Sequence, residues 1–123
     1  MSDGPARSLL ERRAHGDVDV LEIRVTDLYR ADRIEDLGHQ IREALSFSEA
    51  SSFILDLSMV RYMTSAALGV LINVRSHLAD RGYALALAGA TGEVADVLAH
   101  ARLDQLVTTY PSVEAALKAL GCP

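Results

Sequence analysis

Two adjacent hydroxyls, Thr64 and Ser65, stand where an apolar segment gives way to the small residues Ala66-Ala67-Leu68-Gly69. Hydroxyls in such a place have two uses. One is structural: the first turn of a helix leaves backbone N–H groups without partners, and a Ser or Thr oxygen that accepts from them contributes ~1 kcal/mol. The other is chemical. A phosphoryl group added there brings about −1.5 to −2 charges to a point where the field of the helix tolerates them. A contact surface that had been small and apolar would become anionic, with no catalysis by the chain itself.

The remaining reactive side chains are scattered. His15, His39, His77 and His100 lack metal-ligand spacing with one another or with Cys122, the one cysteine. Cys122 sits beside the C-terminus and reads as incidental. Asp56, at the end of an apolar run, reads as a carboxylate capping the N–H groups of the following loop rather than as a catalytic acid. No Gly-x-Ser-x-Gly elbow and no phosphate-cradling Gly-x-x-x-x-Gly-Lys loop is present. Gly89-Ala90-Thr91-Gly92 reads as a turn followed by a cap. The expectation is no catalytic residue, no metal and no cofactor.

The elements that must hold Thr64 and Ser65 follow from periodicity. Residues 1–7 read as a flexible tail, and 8–121 as one domain. Ser8–Arg13 suits an edge strand, His15-Gly16-Asp17 a turn, and Leu21–Val25, alternating apolar and polar, a half-buried strand paired to it as a hairpin. Asp32-Arg33-Ile34-Glu35 has the form of a capping box with Asp32 as N-cap. Ile34, Leu37, Ile41 and Leu45 then mark a helix with one apolar face. Phe53-Ile54-Leu55-Asp56-Leu57 is a compact apolar run suited to a central strand. A short bridge, 58–63, leads to the two hydroxyls and a helix to about Asp80. Leu68, Leu71, Val74 and Leu78 face inward there, with Gly69, Asn73, Ser76 and Asp80 outside. Tyr83–Ala88 reads as a strand, Val94–Ala101 as a helix, Leu106–Tyr110 as a strand, and Pro111-Ser112 opens a last helix stopped by Gly121. Alternating strands and helices imply parallel pairing, so the fold class is α/β: a mixed sheet with an N-terminal hairpin, parallel central strands, and four helices mainly on one face.

Composition narrows the partners. The 123 residues carry a net charge of −5, no tryptophan and only 5% aromatics, which argues against phosphate-backbone binding and base stacking. The first seven residues hold no apolar run of signal length, and no apolar stretch approaches the ~18 residues of a membrane helix. The expectation is a soluble cytoplasmic protein that meets other proteins, as a monomer or weak dimer, without nucleic-acid binding or membrane insertion.

The stretch from Leu55 to Leu71 combines a buried strand ending Asp56-Leu57, a short bridge, and Met63-Thr64-Ser65-Ala66-Ala67-Leu68-Gly69 at a helix start. In this it resembles the STAS family, whose pattern at that point is Asp-Ser-Ser-Gly-Leu-Gly. The resemblance extends from about residue 8 to 120 through the order of strands and helices. It implies an anti-sigma factor antagonist: a regulator that binds an anti-sigma factor with a serine-kinase fold and is released by phosphorylation. Ser65 falls on the family's phosphoacceptor position. Thr64 replaces the usual Asp and is the alternative acceptor; Ala66 and Ala67 replace the second Ser and the Gly. The partner surface implied comprises Met63, Thr64, Ser65, Ala66, Leu68, Gly69 and Asn73. The alternative implied by the family is a scaffold or accessory subunit of a signalling or transport complex, with no regulated phosphorylation.

Overall fold

The computed structural model describes residues 8–121. Cys122 and the tail expected over residues 1–7 lie outside the described residues. Strand β1 (Leu10–His15) turns back into β2 (Val18–Ile23), and the pair is antiparallel. Gly16 makes that turn possible at φ +61°, a conformation open to glycine at little cost. Three further strands, β4 (Ser52–Asp56), β6 (Ala84–Ala88) and β7 (Thr108–Tyr110), add in parallel, giving one sheet in the order β1-β2-β4-β6-β7. Two short strands, β3 (Asp27–Leu28) and β5 (Tyr62–Met63), form a second, parallel ribbon. Neither was legible in the sequence, because two residues are too few to show a period.

Alternation along the strands divides the core. Leu21, Ile23, Phe53, Leu55 and Leu87 face the layer made by α1 (Ala31–Phe47), α2 (Ser65–Asp80) and α3 (Gly92–His100). Val20, Ile54, Ala86 and Ala88 face α4 (Val113–Ala119), which lies alone on the other side with Ala116 fully buried. Burying a side chain the size of Leu or Phe contributes roughly 1.5–3 kcal/mol, so the three-helix side carries most of the stability.

Several expectations change in detail. β2 is buried on both faces rather than half-buried, because β1 and β4 flank it and helices cover it. Asp32 is not the N-cap of α1: the helix starts at Ala31, Arg30 occupies the cap position without a side-chain bond, and Asp32 lies in the first turn beside Arg30 at 3.1 Å. The chain leaves β3 extended through Arg30 and turns at once, so the cap falls two residues earlier than the capping-box pattern places it. Leu106 and Val107 are not in a strand. α3 ends at His100, Arg102 then adopts a left-handed φ of +60°, and a 3₁₀ turn (Leu103–Gln105) follows. The Val107 N–H donates to Leu103 at 2.9 Å, holding Val107 in the core and leaving β7 to begin at Thr108.

Candidate functional site

The site is the start of α2. Thr64 is its N-cap, extended at φ −101°, ψ 172°. Its Oγ1 accepts from the Ala67 N–H at 3.5 Å and donates to the Leu28 carbonyl at 3.4 Å, while its own N–H donates to that carbonyl at 3.1 Å. Two pairs of Cα partners, Asp27 with Tyr62 and Leu28 with Met63, bring the β3 segment alongside. The helix start is thus tied both to its own first turn and to the small ribbon beneath it.

Ser65 is different. It is the first helical residue, exposed, and its hydroxyl makes no hydrogen bond among the described residues. Of the two hydroxyls, Thr64 does the capping, and the Ser65 oxygen has no hydrogen bond among the described residues. No acidic residue stands in the first turn of α2, so the partial positive charge of the helix end is not offset there. At the far end, Gly82 at φ +75° closes the helix with two bonds, Gly82 N–H to Ala79 and Tyr83 N–H to Leu78, as in a Schellman turn.

The other residues of the expected surface divide. Ala66 and Asn73 are exposed and Gly69 is half-buried. Met63 and Leu68, expected to be open to a partner, are only 7% and 8% exposed. The helical period turns Leu68 inward with Leu71, Val74 and Leu78, and the alternation of β5 does the same to Met63 while turning Tyr62 out. What remains of both is an edge. Together with Ser65 they line an open depression of about 600 Å³ whose far wall is α3: Glu93, Asp96, Val97, His100 and Ala101.

Sequence reasoning missed both flanks of this face. On one side Tyr29 and Tyr62 are 60% and 53% exposed, with Met59 also exposed and Arg30 and Arg61 among them. A single Tyr between an apolar residue and an arginine gave no sign of which way it would point. On the other side are the α3 carboxylates, whose helix was legible but whose approach to α2 was not. Among the described residues, no group of three or more His, Cys, Asp and Glu side chains is placed to hold a metal ion.

Two buried carboxylates lie away from Ser65. Asp56 accepts from the Ser58 N–H at 3.0 Å, the loop-capping role its position suggested. Gly89 packs on that turn at φ +78°, and a Cβ there would meet Ser58 Cβ at 2.9 Å and Asp56 Oδ1 at 3.2 Å. Asp19, not singled out in the sequence, is 2% exposed and bonded to Arg12 Nη1 at 2.8 Å and to the Ser48 hydroxyl. Arg12 lies diagonally across the β1–β2 hairpin from it, so the pair pins the edge strand to the sheet.

Residues 12–116 match the STAS domain family. The chain belongs to that family. Solved STAS domains superpose closely despite low identity. An anti-sigma-factor antagonist domain protein from Planctomyces limnophilus has a TM-score of 0.82 at 18% identity, covering 94% of this chain and all of its own. An anti-sigma factor antagonist from Mycobacterium paratuberculosis has a TM-score of 0.78 at 21% identity, with 89% and 91% covered. The antagonist SpoIIAA in its unphosphorylated form reaches 0.74 at 15% identity, with 93% and 98% covered. At these identities the likeness concerns the fold. In this STAS domain no helix among the described residues is long and apolar enough to cross a membrane.

Proposed function

We propose that this STAS domain is a partner-switching regulator of the anti-sigma factor antagonist type. It binds an anti-sigma factor with serine-kinase activity through the face around Ser65, and phosphorylation of Ser65 ends the binding. The observation that carries this reading is the free, exposed Ser65 hydroxyl on the first residue of an otherwise uncharged helix start. Supporting it, solved relatives include antagonists, and one of them, the Bacillus protein SpoIIAA, has also been solved in a phosphorylated form. The same geometry ranks the two hydroxyls. Thr64 Oγ1 accepts from Ala67 and donates to Leu28, so a phosphate there would remove the proton given to Leu28 and set an anion against that carbonyl; Ser65 can be modified with both of these bonds intact.

Energetically the switch needs no change of fold. A partner packed against Ser65, Ala66 and the edge of Leu68 would have to desolvate a phosphate, at a cost of several kcal/mol. Exposed Tyr29 and Tyr62 beside Arg61 supply the residue types that dominate contact energy in protein interfaces.

The test is binding of wild type, Ser65→Ala and Ser65→Asp to the anti-sigma kinases of the protein's own cell, with mapping of any added phosphate. Wild type and Ser65→Ala are expected to bind alike, Ser65→Asp at least about 100-fold more weakly (~2.7 kcal/mol), and the phosphate is expected on Ser65. Equal binding of Ser65→Asp to every partner overturns the switch, and a phosphate found only on Thr64 overturns the choice of acceptor.

A further inference from the structure

The depression between α2 and α3 has an apolar floor and an acidic rim. Met63 and Leu68 form the floor, and Val97 and Ala101 continue the apolar lining up the α3 wall. Glu93 and Asp96 stand on the rim, three residues apart on α3 and therefore on one face of it. Both are exposed, and neither takes part in an ion pair among the described residues. α3 contains no Lys or Arg to offset them. Its basic group is His100, whose Nδ1 lies 2.8 Å from the Asp96 backbone carbonyl; that contact needs a proton on Nδ1, so this nitrogen is directed to the backbone and away from either carboxylate.

An occupant has to satisfy floor and rim together. An acidic side chain would be repelled by two carboxylates. A wholly apolar one would cover them and leave their charge without a partner. A long cationic side chain meets both demands, with methylenes on the floor and a charged head at the rim. Arginine fits better than lysine, because its planar fork pairs with carboxylates at two points and is less strongly hydrated.

Taking the Ser65 face as a protein-docking surface, we propose that this cleft receives an arginine of the partner, its stem against Met63, Leu68 and Val97 and its guanidinium between Glu93 and Asp96. The cleft thereby selects a partner carrying an exposed arginine flanked by apolar residues. Ser65 forms the opposite wall, so a phosphate there would take up the same space and draw the guanidinium away from Glu93 and Asp96, unseating the arginine.

The experiment is titration of the ¹⁵N-labelled full chain with N-acetyl-leucyl-arginine amide, and with its citrulline counterpart, which keeps the shape but not the charge. The arginine peptide is expected to move the Ser65, Val97 and His100 amides, with the citrulline peptide at least tenfold weaker. Glu93→Gln/Asp96→Asn is expected to reduce arginine binding at least tenfold. Asp96→Asn alone, which retains Glu93 at the helix start, should reduce it at least threefold with an unchanged melting temperature. Equal binding of arginine and citrulline, or shifts confined to another face, overturns the proposal. So does movement of the same amides with protein concentration alone, since a second copy would then fill the cleft. The outcome is separable from the switch. If Ser65→Asp binds partners normally while the arginine shifts appear as stated, the switch falls and the seat stands; the reverse pattern rejects the seat alone.

Discussion

The starts of α2 and α3 lie on the two sides of one cleft, and each is headed by a threonine, yet they are built differently. At α2, Thr64 Oγ1 holds the Ala67 N–H and the Leu28 carbonyl, and the first turn is small and uncharged. At α3, Thr91 occupies the cap position without a side-chain bond, and Glu93 supplies negative charge to the first turn instead. The second helix start has its electrostatic partner built in. The first is held mechanically and left electrically open. A helix end of that kind can accept a new anion without losing its cap, which is what a reversible charge switch requires.

The largest effect expected from disturbing this arrangement comes from Gly89, in the turn before α3. Gly89→Ala forces a side chain into φ +78° and against Ser58 and Asp56, so a loss of about 2–4 kcal/mol is expected by urea denaturation. A loss below about 0.5 kcal/mol would mean the turn adapts freely, and α3 would then not be fixed relative to α2. Next, Thr64→Ala should cost ~1 kcal/mol, whereas Thr91→Ala should cost only a few tenths, since there is no side-chain bond to lose. Equal costs at the two positions would erase the mechanical half of the comparison. The smallest effect probes the electrical half. Ser65→Asp should change stability by less than about 0.5 kcal/mol, because the gain of about 0.3–1 kcal/mol at a helix start is opposed by Glu93 and Asp96 across the cleft. In the Glu93→Gln/Asp96→Asn background the gain should emerge, and it should shrink with added salt. The same gain in both backgrounds would show that the two helix starts do not sense each other.

How much of this was readable in advance depended on the length of the pattern. α1 and α2 each carry four large apolar residues at helical spacing, β4 centres on Phe53-Ile54-Leu55 and β6 is wholly apolar, so these elements and the parallel sheet could be read directly. Thr64 and Ser65 were placed at a helix start, but which of them caps depends on where the turn begins, and that is set by β5 pairing with β3 over two residues. Asp32 failed for a related reason: a capping-box pattern competes with the path of the chain leaving β3, and the path won. The exposed tyrosines and the acidic wall of the cleft belong to tertiary structure. No local spacing relates Ser65 to Glu93, since the two meet only through the packing of separate helices.

The carbonyl of Leu28 receives both the amide and the hydroxyl of Thr64. One atom of the β3 ribbon therefore acts as a hinge pin for the helix on which Ser65 rides. Tyr29 follows Leu28 directly in the chain, so a partner that grips this tyrosine pulls on the same anchor that sets the angle of the helix. Contact at the aromatic side would be felt at the serine as a change of posture, with no charge having moved. Exchange protection of the Thr64 and Ala67 amides should then rise together when a partner binds, including a partner that never touches Ser65.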